Sequence, residues 1–433
     1  MTAARLFPRA AVASPHYLAT TAGVHVLMQG GNAVDAAIAT NLVLAVVCPH
    51  LCGVGGDLFA LIFAEGRIHG LNSSGCLPKA ATLPPDGQVP VRGVGAATVP
   101  GAVAGWLAMH DRFGSMPIGN LAAPAIRYAQ QGFPRTSSLR RSITRSLDVF
   151  DDGTDFARLF LRDEPTGRNV DLAATLGDLS NFYSGPVAQN APAPFTPDDF
   201  SSHQAQWVDP VTTPFRGHDI YEMPPNSRGH LVLRALDRLE PLEGSGPDDA
   251  QFHERLFRAI ASVSLTGDTV YLCVHDEKGM AVSLNESNFM GFGSGVLVPG
   301  TGVHLHNRGA YLTPATYKGG VRPIHTLSPG MSLLDGQPSL IFGTMGGEAQ
   351  IQIHMQLLAR VLVAGQELGA AVAAPRWVKH GEGQLLAEEG LPEMGATVIP
   401  RSDIAGHAHM IRRTDEGIEA VSDPRSDGLA LGY

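Results

Sequence analysis

The stretch from Ala33 to Val47 constrains this chain more than any other. Its fifteen residues are mostly apolar on every helical face, and a helix without a polar side is a buried helix. It does not read as a membrane span. The longest unbroken apolar runs, Leu42 to Cys48 and Leu58 to Ala64, fall far short of the ~20 residues a bilayer needs. Gly30-Gly31-Asn32 signals a turn before the helix. After it, Cys52-Gly53-Val54-Gly55-Gly56-Asp57 leads into a short strand, Leu58 to Phe63. Helix, glycine turn and strand in succession predict an α/β layer over the first hundred residues. Asp35 is read as a carboxylate at the helix N-terminus, where it complements the macrodipole.

A chain of 433 residues admits about three domains on a length prior of roughly 150 residues each, although layered α/β folds exceed that as one unit. Hydrophobic residues at 44% and charged residues at 17% supply a large core and argue against disorder and coiled coil. Glycine is in excess, 50 residues where average usage of about 7% gives roughly 30. No collagen-like period accompanies it, so these glycines belong at turns or where backbone meets a ligand. The net charge of −10 disfavours nucleic acid and an anionic membrane surface as partners. Cys48, Cys52, Cys76 and Cys273 make neither a disulfide scaffold nor a zinc site of familiar spacing. No metal and no cofactor is expected. The N-terminus lacks an apolar h-region, so the expected protein is soluble and cytoplasmic.

Further along, Leu107 to Gln131 reads as helical with a break near Gly114 to Pro117, and Ser184 to Asp209 as loop. Asp248 to Ser264 carries Phe252, Leu256, Phe257 and Ile260 at helical spacing. Thr269 to Asp276 then alternates as a strand, with Val270, Leu272 and Val274 on one side. The turn Asp276-Glu-Lys-Gly279 and a second strand from Met280 to Leu284 complete a hairpin. Gly291 to Gly295 follows it. Leu340 to Thr344 is a strand running into Gly346-Gly347, and Ile351 to Ala364 is an apolar helix.

Common catalytic patterns are missing: no G-x-S-x-G elbow, no HExxH, no Walker lysine. The pairs His304/His306 and His407/His409 have the spacing of one strand face and are read as structural histidines. What remains is a strand beginning abruptly at Thr269 with glycine clusters downstream. Backbone amides exposed at such clusters suit the stabilisation of an oxyanion.

The string Gly267-Asp268-Thr269-Val270-Tyr271 resembles the processing site of the γ-glutamyltranspeptidase family of N-terminal-nucleophile hydrolases. In the family's order there also occur Gly30 to Ala37, Gly53-Val54-Gly55-Gly56, Val99-Pro100-Gly101 to Gly105, Arg322-Pro323, Ser328-Pro329, Gly346-Gly347 and Asp423-Pro424-Arg425-Ser426-Asp427-Gly428. These span nearly the whole chain. The resemblance implies one four-layer αββα sandwich, cut between Asp268 and Thr269 into a large subunit, 1–268, and a small subunit, 269–433. The two form a heterodimer, with further dimerisation left open. It also implies that Thr269 is the nucleophile, that Ser287 is the second hydroxyl beside it, and that Gly346 and Gly347 supply the oxyanion hole. The partner is then a small-molecule substrate.

At the positions that grip a γ-glutamyl group the chain departs from the family. Ser74 stands where an arginine belongs, and gap-free counting puts Phe289 at the asparagine position, with Asn288 adjacent. Arg308 and Tyr311 replace a glutamine and an aspartate, and His325 and Thr326 replace paired serines. Losing the arginine removes a bidentate fork for carboxylate. The segment from Leu242 to Thr269 is also short for the family. Asn307-Arg308-Gly309 is similar to the acylase and amidohydrolase branch, which leads to hydrolysis of an amide in a small carboxylated substrate other than glutathione. Carbon–carbon bond hydrolysis in an antibiotic pathway, genuine γ-glutamyl transfer and a non-catalytic binding relative stay open as alternatives.

Overall fold

The computed structural model describes residues 4–242, 245–260, 268–347, 349–380 and 384–433. Two seven-stranded sheets face one another. The first runs, in spatial order, Leu429–Gly432, Ala11–Ser14, Asp268–His275, Ala281–Phe289, Asp57–Ala64, Arg67–Ser73 and Gln206–Val208. The second runs Arg5–Phe7, Gly417–Ser422, Ala408–Thr414, Gln337–Thr344, Gly330–Leu334, His218–Glu222 and Val211–Phe215. Every neighbouring pair in both sheets is antiparallel.

Strand side chains alternate between faces, and here each face meets its own apolar layer. Val270, Leu272 and Val274 pack outward with Leu58, Ala60 and Ile62 against the Ala33–Val47 helix. Tyr271 and Cys273 point inward with Phe59 and Leu61, meeting Met331, Ile341 and Ile411 of the opposite sheet. Leu340, Phe342 and Met410 leave the second sheet on its outer side toward the helices His230–Leu236, Ala250–Ile260 and Ala349–Leu358. Three apolar interfaces between four layers, two of helix and two of sheet, make the αββα sandwich. Each fully buried Val or Leu contributes about 1.5–3 kcal/mol.

All residues of the Ala33–Val47 helix are buried, and its polar side chains find partners inside. Asp35 closes a capping box with Asn32 and also accepts from the Ser115 backbone N–H. Thr40 bonds back to the Ala36 carbonyl. Asn41 donates to Glu286 at 2.8 Å and accepts from the Trp106 indole at 2.7 Å.

The helices Ala102–Phe113 and Ile118–Gln131 flank the expected break. The Ala250–Ile260 helix buries Phe252, Leu256 and Ile260 and leaves Phe257 half-buried. Residues 261–267, including Gly267 before the expected cut, lie outside the described residues, as does the side chain of Asp268. Other readings need correction. Ser184 to Asp209 is not all loop: Pro186–Asn190 and Pro197–Ser201 form short helices and Gln206–Val208 joins a sheet edge. A proline at the start of each helix and a Thr196–Asp199 capping box are the local causes. His304 and His306 lie outside the strands, and their rings bond different partners, Asn288 and Thr98. The apolar helix after Gly347 is Ala349–Leu358, widening into a π turn over Ala359–Val363. Among the described residues no helix is long and apolar enough to cross a membrane.

Candidate active site

The hairpin brings Thr269 and Ser287 together at its open end. Its closed end is pinned by Asp276, whose carboxylate accepts the N–H groups of Lys278 and Met280 at 2.9 and 3.0 Å. At the open end the ladder slips by one residue between Asp268 and Val270. Thr269 sits in that irregularity, 1% exposed. Its hydroxyl lies 3.4 Å from Ser287 Oγ, longer than the 2.5–3.0 Å usual for O–H···O. Ser287 Oγ in turn accepts the Phe289 backbone N–H at 2.8 Å.

Phe289 carries a φ of 74°, a left-handed conformation uncommon for a bulky side chain. The ring ends beneath Arg308, whose guanidinium carbon is 4.1 Å from the ring centroid. The same guanidinium is 5.5 Å from the Tyr311 ring and donates to Thr326 Oγ1 at 3.3 Å. Phe289 and Tyr311 meet edge to face at 5.8 Å. Arg308 is almost fully buried, and an aromatic cage of this kind holds a guanidinium through its π faces.

Ser74 approaches through asparagines. Its hydroxyl donates to Asn72 Oδ1 at 2.7 Å and accepts from Asn226 Nδ2 at 3.3 Å. Asn226 then receives the His325 backbone N–H through its carbonyl at 2.8 Å. Asp57, paired with Ser287 in the sheet register, lies under this loop. Its Oδ1 accepts the N–H groups of Gly75 and Gly101, and its Oδ2 is 2.9 Å from His325 Nε2. Burial pushes the Asp57 carboxyl up to about 8, against the opposing pull of Arg308. Burial and the nearby Arg308 hold His325 well below the ordinary histidine value. Burial thus favours the uncharged form of both groups.

Gly346 and Gly347 have φ of 132° and 57°, conformations open to glycine at little cost. They join the Gln337–Thr344 strand to the Ala349–Leu358 helix, and their carbonyls accept the N–H groups of Ala349 and Gln350. The pair thus sits at the positive end of a helix dipole, a setting suited to negative charge. A cavity of about 330 Å³ opens beside Gly346, with Met290, His50 and Ser138 among its walls.

The structure thus gathers Thr269, Ser287, Phe289, Arg308, Tyr311 and Thr326 through direct contacts, with Ser74 and His325 joined to them by Asn226 and Asp57. Asn288 is not among them. Its amide turns to the other side of the strand, toward Pro49 O at 3.3 Å and His304 Nε2 at 2.8 Å. Its neighbour Glu286 also faces outward and takes the Gly53 N–H.

Residues 19–264 and 248–433 match the profile of the Gamma-glutamyltranspeptidase family. The chain belongs to that family. It is 32% identical to the glutathione hydrolase-like YwrD proenzyme of Bacillus subtilis, over 97% of this chain and 98% of that one. It is 31% identical to the oxamate amidohydrolase proenzyme of Klebsiella pneumoniae, again over 97% and 98%. Among solved structures it is similar to the cephalosporin acylase of Bacillus halodurans, with a TM-score of 0.91, 29% identity and coverage of 100% and 97%. This γ-glutamyltranspeptidase relative is accordingly a hydrolase with the N-terminal-nucleophile fold. The B. subtilis alignment runs over 515 residues against 433 in this chain, so the relative carries insertions.

Two parts of the γ-glutamyltranspeptidase-like pocket escaped the sequence reading. Asp57 closes the glycine run and was legible only as its last letter. The turn Pro224 to Gly229 carries Asn226 and Arg228, and its only local signal is Pro224-Pro225-Asn226-Ser227, which marks a turn and not a site.

Proposed function

We propose that the protein is a self-processing amide hydrolase with Thr269 as nucleophile, acting on a small carboxylated substrate other than glutathione. In processing, the Thr269 hydroxyl attacks the Asp268 carbonyl and the peptide becomes an ester. Water then cleaves the ester, leaving a carboxylate on Asp268 and a free amine on Thr269. That amine, with a reference pKa of about 7.7–8.0, is neutral often enough near pH 8 to take the proton of its own hydroxyl. The hydroxyl oxygen attacks the substrate carbonyl, and the amides of Gly346 and Gly347 receive the oxyanion. The leaving amine departs with the proton, and water resolves the acyl-enzyme.

The observation that carries the substrate class is Arg308, charged, buried and caged by Phe289 and Tyr311 beside the Thr269–Ser287 pair. A buried guanidinium presents a fork that matches a carboxylate. Oxamate amidohydrolase and cephalosporin acylase among the relatives favour amide cleavage. The pocket positions Ser74, Phe289 and Tyr311 differ from the γ-glutamyl grip, which ranks transfer from glutathione lower.

The test is intact mass after purification and after incubation with a panel of carboxylated amides. The expected result is two fragments, the smaller beginning at Thr269, and an acyl adduct on that fragment. Thr269→Ala is expected to stay a single inactive chain. A wild-type chain that remains whole while hydrolysing amides, or a γ-glutamyl anilide as best substrate, overturns the proposal.

A further inference from the structure

The cavity beside Gly346 is lined by none of Phe289, Arg308, Tyr311 or Thr326. At about 330 Å³ it lies at the lower end of small-molecule pockets, roughly 300–1,000 Å³. One wall is a single face of the Ser137–Ser146 helix. Ser138, Ser142 and Ser146 stand four residues apart on it and so lie one above the other. Asp427 fixes the start of that helix, accepting from the Ser137 hydroxyl at 3.2 Å and the Ser138 N–H at 3.3 Å. Beside Ser138 the wall is His50, 3% exposed. Its Nε2 lies 3.3 Å from Ser138 Oγ, and its Nδ1 has no hydrogen-bond partner among the described residues. Leu51, Met290 and Met345 add apolar surface.

The charged side chains at this cavity are already engaged. Asp403 faces Arg145 at 3.5 Å and Arg141 at 3.9 Å, and Arg92 donates to the carbonyls of Met290 and Gly291. Burial, with His407, His16 and Arg141 nearby, holds His50 down to about 3, so its ring is neutral at pH 7. What meets a ligand is therefore uncharged: three hydroxyls and an imidazole, groups that both donate and accept. They match the hydroxyls of a ligand, whereas a buried carboxylate or ammonium needs an opposite charge to offset its desolvation. An amide carbonyl held at Gly346 and Gly347 has two substituents. If the acid half lies toward Arg308, the amine half needs a space that meets Gly346 and avoids that group. We propose that this cavity is the subsite for the amine half of the substrate, and that this half is a small hydroxyl-rich amine of the amino-sugar or amino-polyol class. Ser142, half-buried in the middle of the serine face, is the residue assigned to select it. This rests on the amide-hydrolase reading above and deepens it by naming the leaving amine.

The experiment presents each acid of the carboxylated panel as two amides, one of glucosamine and one of cyclohexylamine, which has a six-membered ring without the hydroxyls. The readout is the ratio of kcat/KM, sugar amide over cyclohexyl amide. The wild type is expected to favour the sugar amide. Ser142→Ala is expected to lower the ratio about 3- to 10-fold, the range of one neutral hydrogen bond. Ser142→Thr keeps a hydroxyl and is expected to retain most of it. Thr144→Ala, exposed on another face of the helix, is expected to leave it unchanged. Urea unfolding reports that each variant folds. Binding of free glucosamine to wild type and to Ser142→Ala is followed separately by saturation-transfer NMR. A wild type that cleaves both amides alike, or a ratio that Ser142→Ala leaves within twofold, overturns the proposal while the amide-hydrolase reading stands. If no amide is cleaved but glucosamine binds the wild type and is lost in Ser142→Ala, the hydrolase reading falls and the ligand class of the cavity stands. Neither cleavage nor binding overturns both.

Discussion

Replacing Ser287 by alanine separates two tasks of one hydroxyl. The bond from Phe289 N–H to Ser287 Oγ is 2.8 Å long and buried. Its loss leaves that N–H without its acceptor, at a cost of about 1–3 kcal/mol in stability. The contact to Thr269 Oγ1 is 3.4 Å, too long to add much to folding. In the proposed mechanism its value lies in aligning the nucleophile. If that contact shortens to a full hydrogen bond as the hydroxyl attacks, removing it costs roughly 1.4–2.7 kcal/mol of barrier, a 10- to 100-fold fall in kcat. Stability is measured by urea unfolding on a Thr269→Ala background, where every molecule is one chain. The rate of fragment release and kcat are measured with Thr269 intact. Ser287→Thr restores a hydroxyl and is expected to recover most of the rate. The reasoning fails if Ser287→Ala loses stability as expected but keeps kcat and processing within about twofold, since Ser287 then only supports the Phe289 backbone.

Gly346→Ala is expected to lower kcat by about 10²–10³-fold, the scale of a displaced oxyanion donor. An added Cβ has room, with Ile353 Cδ1 at 3.5 Å, so the disturbance comes from the φ of 132°; unchanged kcat on acyl-enzyme formation removes the glycine from that role. Asp423→Asn is expected to destabilise the Thr269→Ala chain by about 3–5 kcal/mol in urea, because it removes the charge facing two buried arginines, Arg376 at 2.6 Å and Arg425 at 3.0 Å. Burial alone raises the Asp423 pKa, but Arg376 and Arg425 outweigh it and hold the carboxyl well below the usual range. Its contribution is then present above the unfolded value of about 3.9 and lost as pH falls below it, so the variant is expected to lack that part of the acid loss seen in the wild type.

Local order was legible in the residues. The helix N-terminal carboxylate at Asp35, the mostly apolar Ala33–Val47 helix and the hairpin turn at Asp276 each depend on neighbours a few positions apart. The alternation of Val270, Leu272 and Val274 against Tyr271 and Cys273 already held both faces of an inner strand. The motif order carried the family, and with it Thr269, Ser287 and the glycine pair as candidates. Counting along the chain could not decide which of Asn288 and Phe289 enters the pocket. A left-handed turn of the backbone at Phe289 sends its ring under Arg308 while Asn288 faces His304. Nor could it bring Arg228 and Asp57 to the site. Asp57 meets His325 at 2.9 Å in a buried place that raises its pKa, and Arg228 reaches Tyr311 from a turn some eighty residues away in sequence. Periodicity and caps are short-range and survive in one dimension. The pocket's charge and reach come from sheet pairing between distant segments and from desolvation, which exist only once the layers close.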